Sequence, residues 1–206
     1  MKPEFRLIEG AADEKRATLP NEEELIRAAQ SGDTAAFKEL YDNYRDRVYS
    51  LIYYSLNDSH QVDDALQTVF VKVFQALPFF RLESSFLTWI YRVALNECKN
   101  RRRRRKLFVS MSEIQNGGLQ EPGQDPAPDE LHESRQMALQ VRSAVMALKP
   151  KYRQVVILKY LEELSYEEVA AVIGCSAGTV ASRLYRALQT LETKLRSSGY
   201  KKEVLR

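Results

Sequence analysis

The chain has 206 residues, 44% hydrophobic and 29% charged, enough for one large domain or two small ones with buried cores. That charged fraction, with only 8 glycines, excludes a collagen-like or wholly disordered chain and favours a helical one. The net charge of +3 hides an asymmetry, because residues 101–106 are five arginines and a lysine. A compact cation block attracts phosphates better than scattered charge does.

No apolar run approaches the ~20 residues that span a bilayer, and the polar start Met1-Lys2-Pro3-Glu4 lacks a signal peptide's core. The expectation is a cytoplasmic protein with no membrane insertion of its own. Cys98 and Cys175 are far apart, without nearby His or Cys partners. They read as free buried thiols rather than a zinc site; a structural disulfide stays open.

Residues 1–20 carry mixed charge without periodicity and read as a mobile tail. From Asn21 an apolar face of Leu25, Ile26 and Ala29 predicts a helix, which Ser31-Gly32-Asp33 breaks, with Asp33 placed to cap the next. Phe37, Leu40, Tyr41, Tyr44, Val48, Leu51 and Ile52 recur at three and four residues as a core stripe. After a turn at Asn57-Asp58-Ser59, Val62, Ala65, Leu66, Val69, Phe70, Val73 and Leu77 define another. Its opposite face carries Asp64, Gln67, Thr68, Val71 and Gln75. That face is either solvated, with one stray valine, or a docking surface.

Pro78 ends this helix, and a loop leads to a third helix over residues 86–101. Phe86, Trp89, Ile90, Val93 and Ala94 are its candidate core, with Arg92, Asn96, Lys99 and Asn100 on another side. Aromatics beside cations and amides suit unpaired bases, although aromatics at helical spacing also build cores. The cation block that follows is a solvated run or a nucleic-acid contact. Gly117-Gly118, Pro122-Gly123 and Asp125-Pro126-Ala127-Pro128 then make an acidic linker. A helix resumes near Leu131 with Ala138, Val141, Val145 and Leu148 inward, and Pro150 suits the first turn of a helix running to Leu161 with Val155, Val156, Leu158 and Leu161 apolar.

Ser165 and Glu168 form a capping box before Val169, Ala170 and Ile173. Gly174 suits the left-handed end of that helix, and Ser176 can cap another. The second helix has an inner stripe of Val180, Leu184, Ala187, Leu188, Leu191 and Leu195. At 100 degrees per residue its outer face presents Gly178, Ser182, Tyr185 and Arg186, flanked by Thr179 and Arg183. Two short helices with a tight glycine turn read as helix-turn-helix. The expected fold is all-α, two small helical domains joined by a flexible linker. No metal cluster, phosphate-cradling glycine loop or nucleophile and base pair is apparent, and His60 and His132 lie in turn or linker contexts. The expectation is no enzyme, no catalytic residue, no metal and no cofactor.

In this order the motifs resemble a bacterial sigma-70 family RNA polymerase sigma factor of the extracytoplasmic-function (ECF) type. Residues 63–74 resemble its region 2.2, residues 80–96 its regions 2.3 and 2.4, and residues 148–195 its region 4. The resemblance implies region 2 over 21–106, a linker over 107–130, region 4 over 131–198 and a tail over 199–206. It implies as partners core RNA polymerase (beta-prime clamp helices and beta flap), promoter DNA and an anti-sigma factor, with the acidic linker following the RNA path. By the same resemblance Asp64, Gln67 and Val71 contact polymerase. Arg81, Ser84, Ser85, Phe86, Arg92, Asn96, Lys99 and Asn100 serve the minus-ten element; Gly178, Thr179, Ser182, Arg183, Tyr185 and Arg186 serve the minus-thirty-five element. Three departures stand out: Thr68 for a common acid, Leu82 for a usual glycine and Ala181 for a frequent base. A stand-alone helix-turn-helix regulator is the alternative; it predicts tight promoter binding without polymerase.

Overall fold

The computed structural model describes residues 21–56, 58–113 and 132–197, with side chains described outside 106–113, 132–138 and 197. The expected tails and the acidic stretch over 114–131 lie outside these residues, as do Asn57 and the Lys106 and Ala138 side chains. The described residues are helical and fall into two compact units, one containing 21–113 and the other 132–197.

In the first unit, α1 (Glu22–Gln30) begins with three glutamates, which suit the positive end of the helix dipole. Gly32 turns the chain at φ +97°, a region that favours glycine. Asp33 Oδ1 then accepts the amides of Ala35 (2.8 Å) and Ala36 (3.2 Å) as the expected cap of α2 (Thr34–Leu56). A short 3₁₀ turn (Ser59–Gln61) leads to α3 (Val62–Ala76), and a second one (Leu77–Phe79) holds Pro78. The predicted α3 stripe is buried at every position, each large side chain contributing about 1.5–3 kcal/mol.

The next helix, α4 (Phe86–Glu113), departs from expectation twice. It packs against both α2 and α3, so its buried band is wider than one stripe. Tyr91, Leu95 and Cys98 are buried with Phe86, Ile90 and Ala94, while Trp89 and Val93 are only half-buried. It also runs past the expected boundary at 106, making 107–113 helix rather than linker; no glycine or proline interrupts the sequence before Gly117.

The cation block is divided by the same packing. Arg101 Nε bonds Glu97 (2.8 Å), while its Nη2 reaches the Asp64 carbonyl (3.1 Å) and the Thr68 hydroxyl (3.0 Å). Arg102 bonds the Ser55 carbonyl (2.9 Å), and Arg105 pairs with Asp58 (3.5 Å). Three arginines therefore fasten α4 to its neighbours, while Arg103 and Arg104 are exposed.

The second unit starts with α5 (His132–Met146). Buried Arg153 donates to the carbonyls of Met146 and Leu148, satisfying groups left over at the end of α5. Pro150 stands in the first turn of α6 (Pro150–Val156). The helix expected to continue to Leu161 instead widens into a π turn (Ile157–Leu161). Val155, Val156, Ile157 and Leu158 are all buried, a broader apolar surface than an α-helical stripe presents.

The capping box starts α7 (Tyr166–Ile173): Ser165 Oγ accepts from Glu168 N at 3.1 Å, and Glu168 Oε2 from Ser165 N at 2.6 Å. Val172 is buried where Ile173 was expected and Ile173 is half-buried, because α7 meets both α8 and the π turn. Gly174, at φ +76°, ends α7. Ser176 Oγ accepts from Thr179 N at 3.2 Å to start α8 (Ala177–Ser197), which packs on α5, α6 and α7. Its predicted inner stripe is buried, except for half-buried Leu188.

Glu97 gives the first unit a pH dependence. Burial pushes its carboxyl up, but hydrogen bonds and charge from Lys72 and Arg101 outweigh that and hold it below 4.5. A depressed folded value stabilises above the unfolded value and is lost as pH falls through the folded one. Acid titration followed by circular dichroism should therefore show the first unit weakening below about pH 4.5, with a shallower slope in Glu97→Gln.

Candidate nucleic-acid interface

The outer face of α8 matches the sequence reading. Gly178, Ser182, Tyr185 and Arg186 are exposed, and Thr179 and Arg183 are half-buried beside them. A Cβ on Gly178 would meet only Ser176 Oγ at 4.0 Å. The protein's own packing therefore does not require glycine there, and its smallness leaves the helix start open to close approach. Ser182 Oγ donates to the Thr179 carbonyl (3.0 Å), and Gln189 donates to the hydroxyl of Tyr185 (2.9 Å), a residue that is 65% exposed.

Tyr152, on α6, was not singled out from sequence. Its phenol accepts a hydrogen bond from Arg186, which holds it below the ordinary tyrosine value; nearby Lys151 and Lys149 act in the same direction. Nothing local in Pro150-Lys151-Tyr152 signals this, since the partner lies on another helix.

The second group surrounds residues 81–85. Phe80 stacks on Trp89 (centroids 4.8 Å apart, 28° between planes) and meets Phe86 edge-on at 5.7 Å. Phe86 is only 1% exposed and also touches Tyr44 at 5.4 Å. It is thus a core ring beneath the loop, not one facing solvent. Arg81 is exposed, Ser84 half-buried, and Leu82 adopts φ +57°, the left-handed region that suits a glycine. Ser85 caps α4, its Oγ accepting from Thr88 N at 3.2 Å and donating to Thr88 Oγ1 at 2.8 Å. Arg92, Asn96, Lys99 and Asn100 are exposed at four- and three-residue steps along one side of α4, a strip about 12 Å long.

The third group is the outer strip of α3. Asp64 and Gln67 are exposed, and Val71 is 50% exposed. Thr68 is engaged by Arg101. Phe74, three residues after Val71, was missed from sequence; it is exposed and packs edge-on against Phe37 at 4.9 Å. The i, i+3 spacing from Val71 is the signal that pointed to it.

Among the described residues no group of three or more His, Cys, Asp or Glu is placed to hold a metal ion, and no helix is long and apolar enough to cross a membrane. Burial pushes the Cys98 thiol up to about 12, with smaller effects from nearby charges, so it is unreactive at neutral pH; Cys175 is half-buried.

The Tyr152 and Arg186 contact is open to direct test. Ultraviolet titration of the Tyr152 phenol should move up toward 10.0 in Arg186→Ala, and an unchanged titration would refute the contact.

Comparisons with known proteins match both units of the chain. The family model "Sigma-70 region 2" matches residues 40–108, and "Sigma-70, region 4" matches residues 138–191. The chain is 30% identical over 177 residues to ECF RNA polymerase sigma factor SigW of Bacillus subtilis, covering 83% of this chain and 95% of that one. It is 35% identical over 180 residues to the ECF RNA polymerase sigma-E factor of Escherichia coli, covering 83% and 92%. The fold resembles the sigma factor RpoE from Bartonella quintana, solved in complex with the anti-sigma factor NepR, with a TM-score of 0.65 at 23% identity over 78% of this chain and 96% of that one. It also resembles CnrH, solved with the cytosolic domain of CnrY, with a TM-score of 0.61 at 24% identity over 84% and 96%. The chain belongs to the ECF sigma factors of the sigma-70 family, which bind core RNA polymerase and direct it to promoters.

Proposed function

We propose the following division of labour within this sigma factor. Region 4, over 131–198, anchors on the minus-thirty-five duplex through α8. Ser182, Tyr185 and Arg186 meet base edges, Gly178 and Thr179 lie against the backbone, and Arg183 flanks them. Region 2, over 21–106 with α4 continuing to 113, handles the minus-ten element. The 81–85 loop takes an unpaired base, and Arg92, Asn96, Lys99 and Asn100 follow the strand. Asp64, Gln67 and Val71 of α3 dock on the beta-prime clamp helices, with Phe74 extending their apolar part, and region 4 meets the beta flap.

The observation that carries this reading is the α8 face: a capped helix start left open by Gly178, with Arg186 exposed two turns further on. A helix entering the major groove reads bases with its N-terminal residues and uses arginine for bidentate contact with guanine. The protein carries no catalytic site of its own and acts in the cytoplasm. An anti-sigma protein regulates it by covering these surfaces; RpoE, which shares the fold, was solved in complex with the anti-sigma factor NepR.

Transcription by core polymerase plus this protein, on fragments of the host genome, should give start sites absent with core alone. No such sites would refute the reading. Arg186→Ala should lose about 1–3 kcal/mol of discrimination at one minus-thirty-five position while core binding is retained; unchanged promoter preference would remove Arg186 from the reading surface.

A further inference from the structure

Gln30 lies in the last turn of α1, separated by 50 residues from the turn that leads into the 81–85 loop. Its Nε2 donates to the Leu77 carbonyl at 3.0 Å and to the Phe80 carbonyl at 2.7 Å. Those carbonyls bracket the 3₁₀ turn, which the Phe80 amide already closes onto Leu77 O at 3.0 Å. An amide nitrogen carries two N–H groups, so one side chain serves both ends of the turn. α1 is itself held, with Ile26 and Ala29 buried and Glu22 bonded to the Tyr44 hydroxyl. At the far end of the loop the Ser85 cap fixes the start of α4.

We propose that Gln30 is a positioning residue for base selection. By clasping Leu77 and Phe80 it holds the loop entry in the shape that admits one base and disfavours others. This rests on the reading of 81–85 as the base pocket. Gln30 acts through the turn and reaches no base itself. The chemistry selects an amide: glutamate would set a carboxylate against two carbonyl oxygens, and leucine would offer them no donor.

The test uses holoenzyme assembled from the full chain and core RNA polymerase. It is presented with single-stranded non-template oligonucleotides randomised over the minus-ten positions, and base enrichment is read by sequencing. Wild-type protein should enrich one base at the captured position. Gln30→Leu and Gln30→Glu should each lower that enrichment ~10-fold, the scale set by leaving a polar group unpaired. Enrichment at the other positions, core binding and the thermal midpoint should hold in at least one of the two variants. Equal enrichment in wild type and both variants overturns the proposal. So does a uniform fall at every position with a lowered midpoint in both variants, the mark of a purely structural role. If the wild type enriches no base at any position, the base-pocket reading itself falls and takes the proposal with it.

Discussion

The Glu97 carboxylate is the constraint on which the first unit depends. At 5% exposure an ionised carboxylate loses several kcal/mol of hydration, and only close cations make that tolerable. Lys72 comes from α3 at 2.5 Å and Arg101 from α4 at 2.8 Å. Because Arg101 also bonds the Asp64 carbonyl and Thr68, the node fixes the register of α3 against α4. The α3 strip proposed to meet polymerase and the α4 strip proposed to meet DNA are therefore held in one rigid relation. Under those proposed roles, promoter recognition and polymerase binding draw on the same few charges, and Thr68 in place of a common acid fits that duty: a hydroxyl accepts from Arg101 without competing with Glu97 for it.

The two proposed DNA surfaces are built on different principles. On α8 the reading residues sit on a helix whose start is capped by Ser176 and whose inner stripe is buried. Rotamer choice is the main freedom left. Around α4 the work falls to a loop, where aromatic rings form a floor and the backbone carries the shape. Duplex DNA presents fixed edges that suit the first design. An unpaired base must be enclosed, which suits the second.

Sequence alone made the stripes of α2, α3 and α8, the capping box, the α7 glycine and the place of Pro150 legible, since each depends on residues within two turns of one another. What it could not reveal depends on distant partners. The cation block read as either a solvated run or a nucleic-acid contact, and nothing local shows that Ser55, Asp58 and Asp64 engage three of its arginines. Phe86 read as core from its spacing and as a minus-ten residue from the resemblance; nothing local shows that Tyr44 and Phe80 enclose it. The exchange of Val172 for Ile173, the π turn and the wide buried band of α4 arise where one helix faces two neighbours at once, which a single periodicity does not encode. Leu82 is an intermediate case: its resemblance-based mismatch with glycine marked a backbone position that the structure finds at φ +57°.

Magnitudes explain why the 81–85 loop is held at both ends. Drawing a base out of a stack costs a few kcal/mol, and stacking on an aromatic returns about 1–3 kcal/mol. Ordering a loose backbone costs about 1–2 kcal/mol per residue, so a five-residue loop organised only on binding would cost more than the stack returns. The loop has to be ordered before the base arrives. Folding supplies that order through the Gln30 clasp, the Phe80 and Trp89 stack and the Ser85 cap, each formed from residues already buried or bonded in the free chain. The strained φ of Leu82 is tolerated because the segment is over-determined on either side. Under the proposed base-pocket role, discrimination at this site is thus limited by the stiffness of the bracket as much as by the atoms that touch the base.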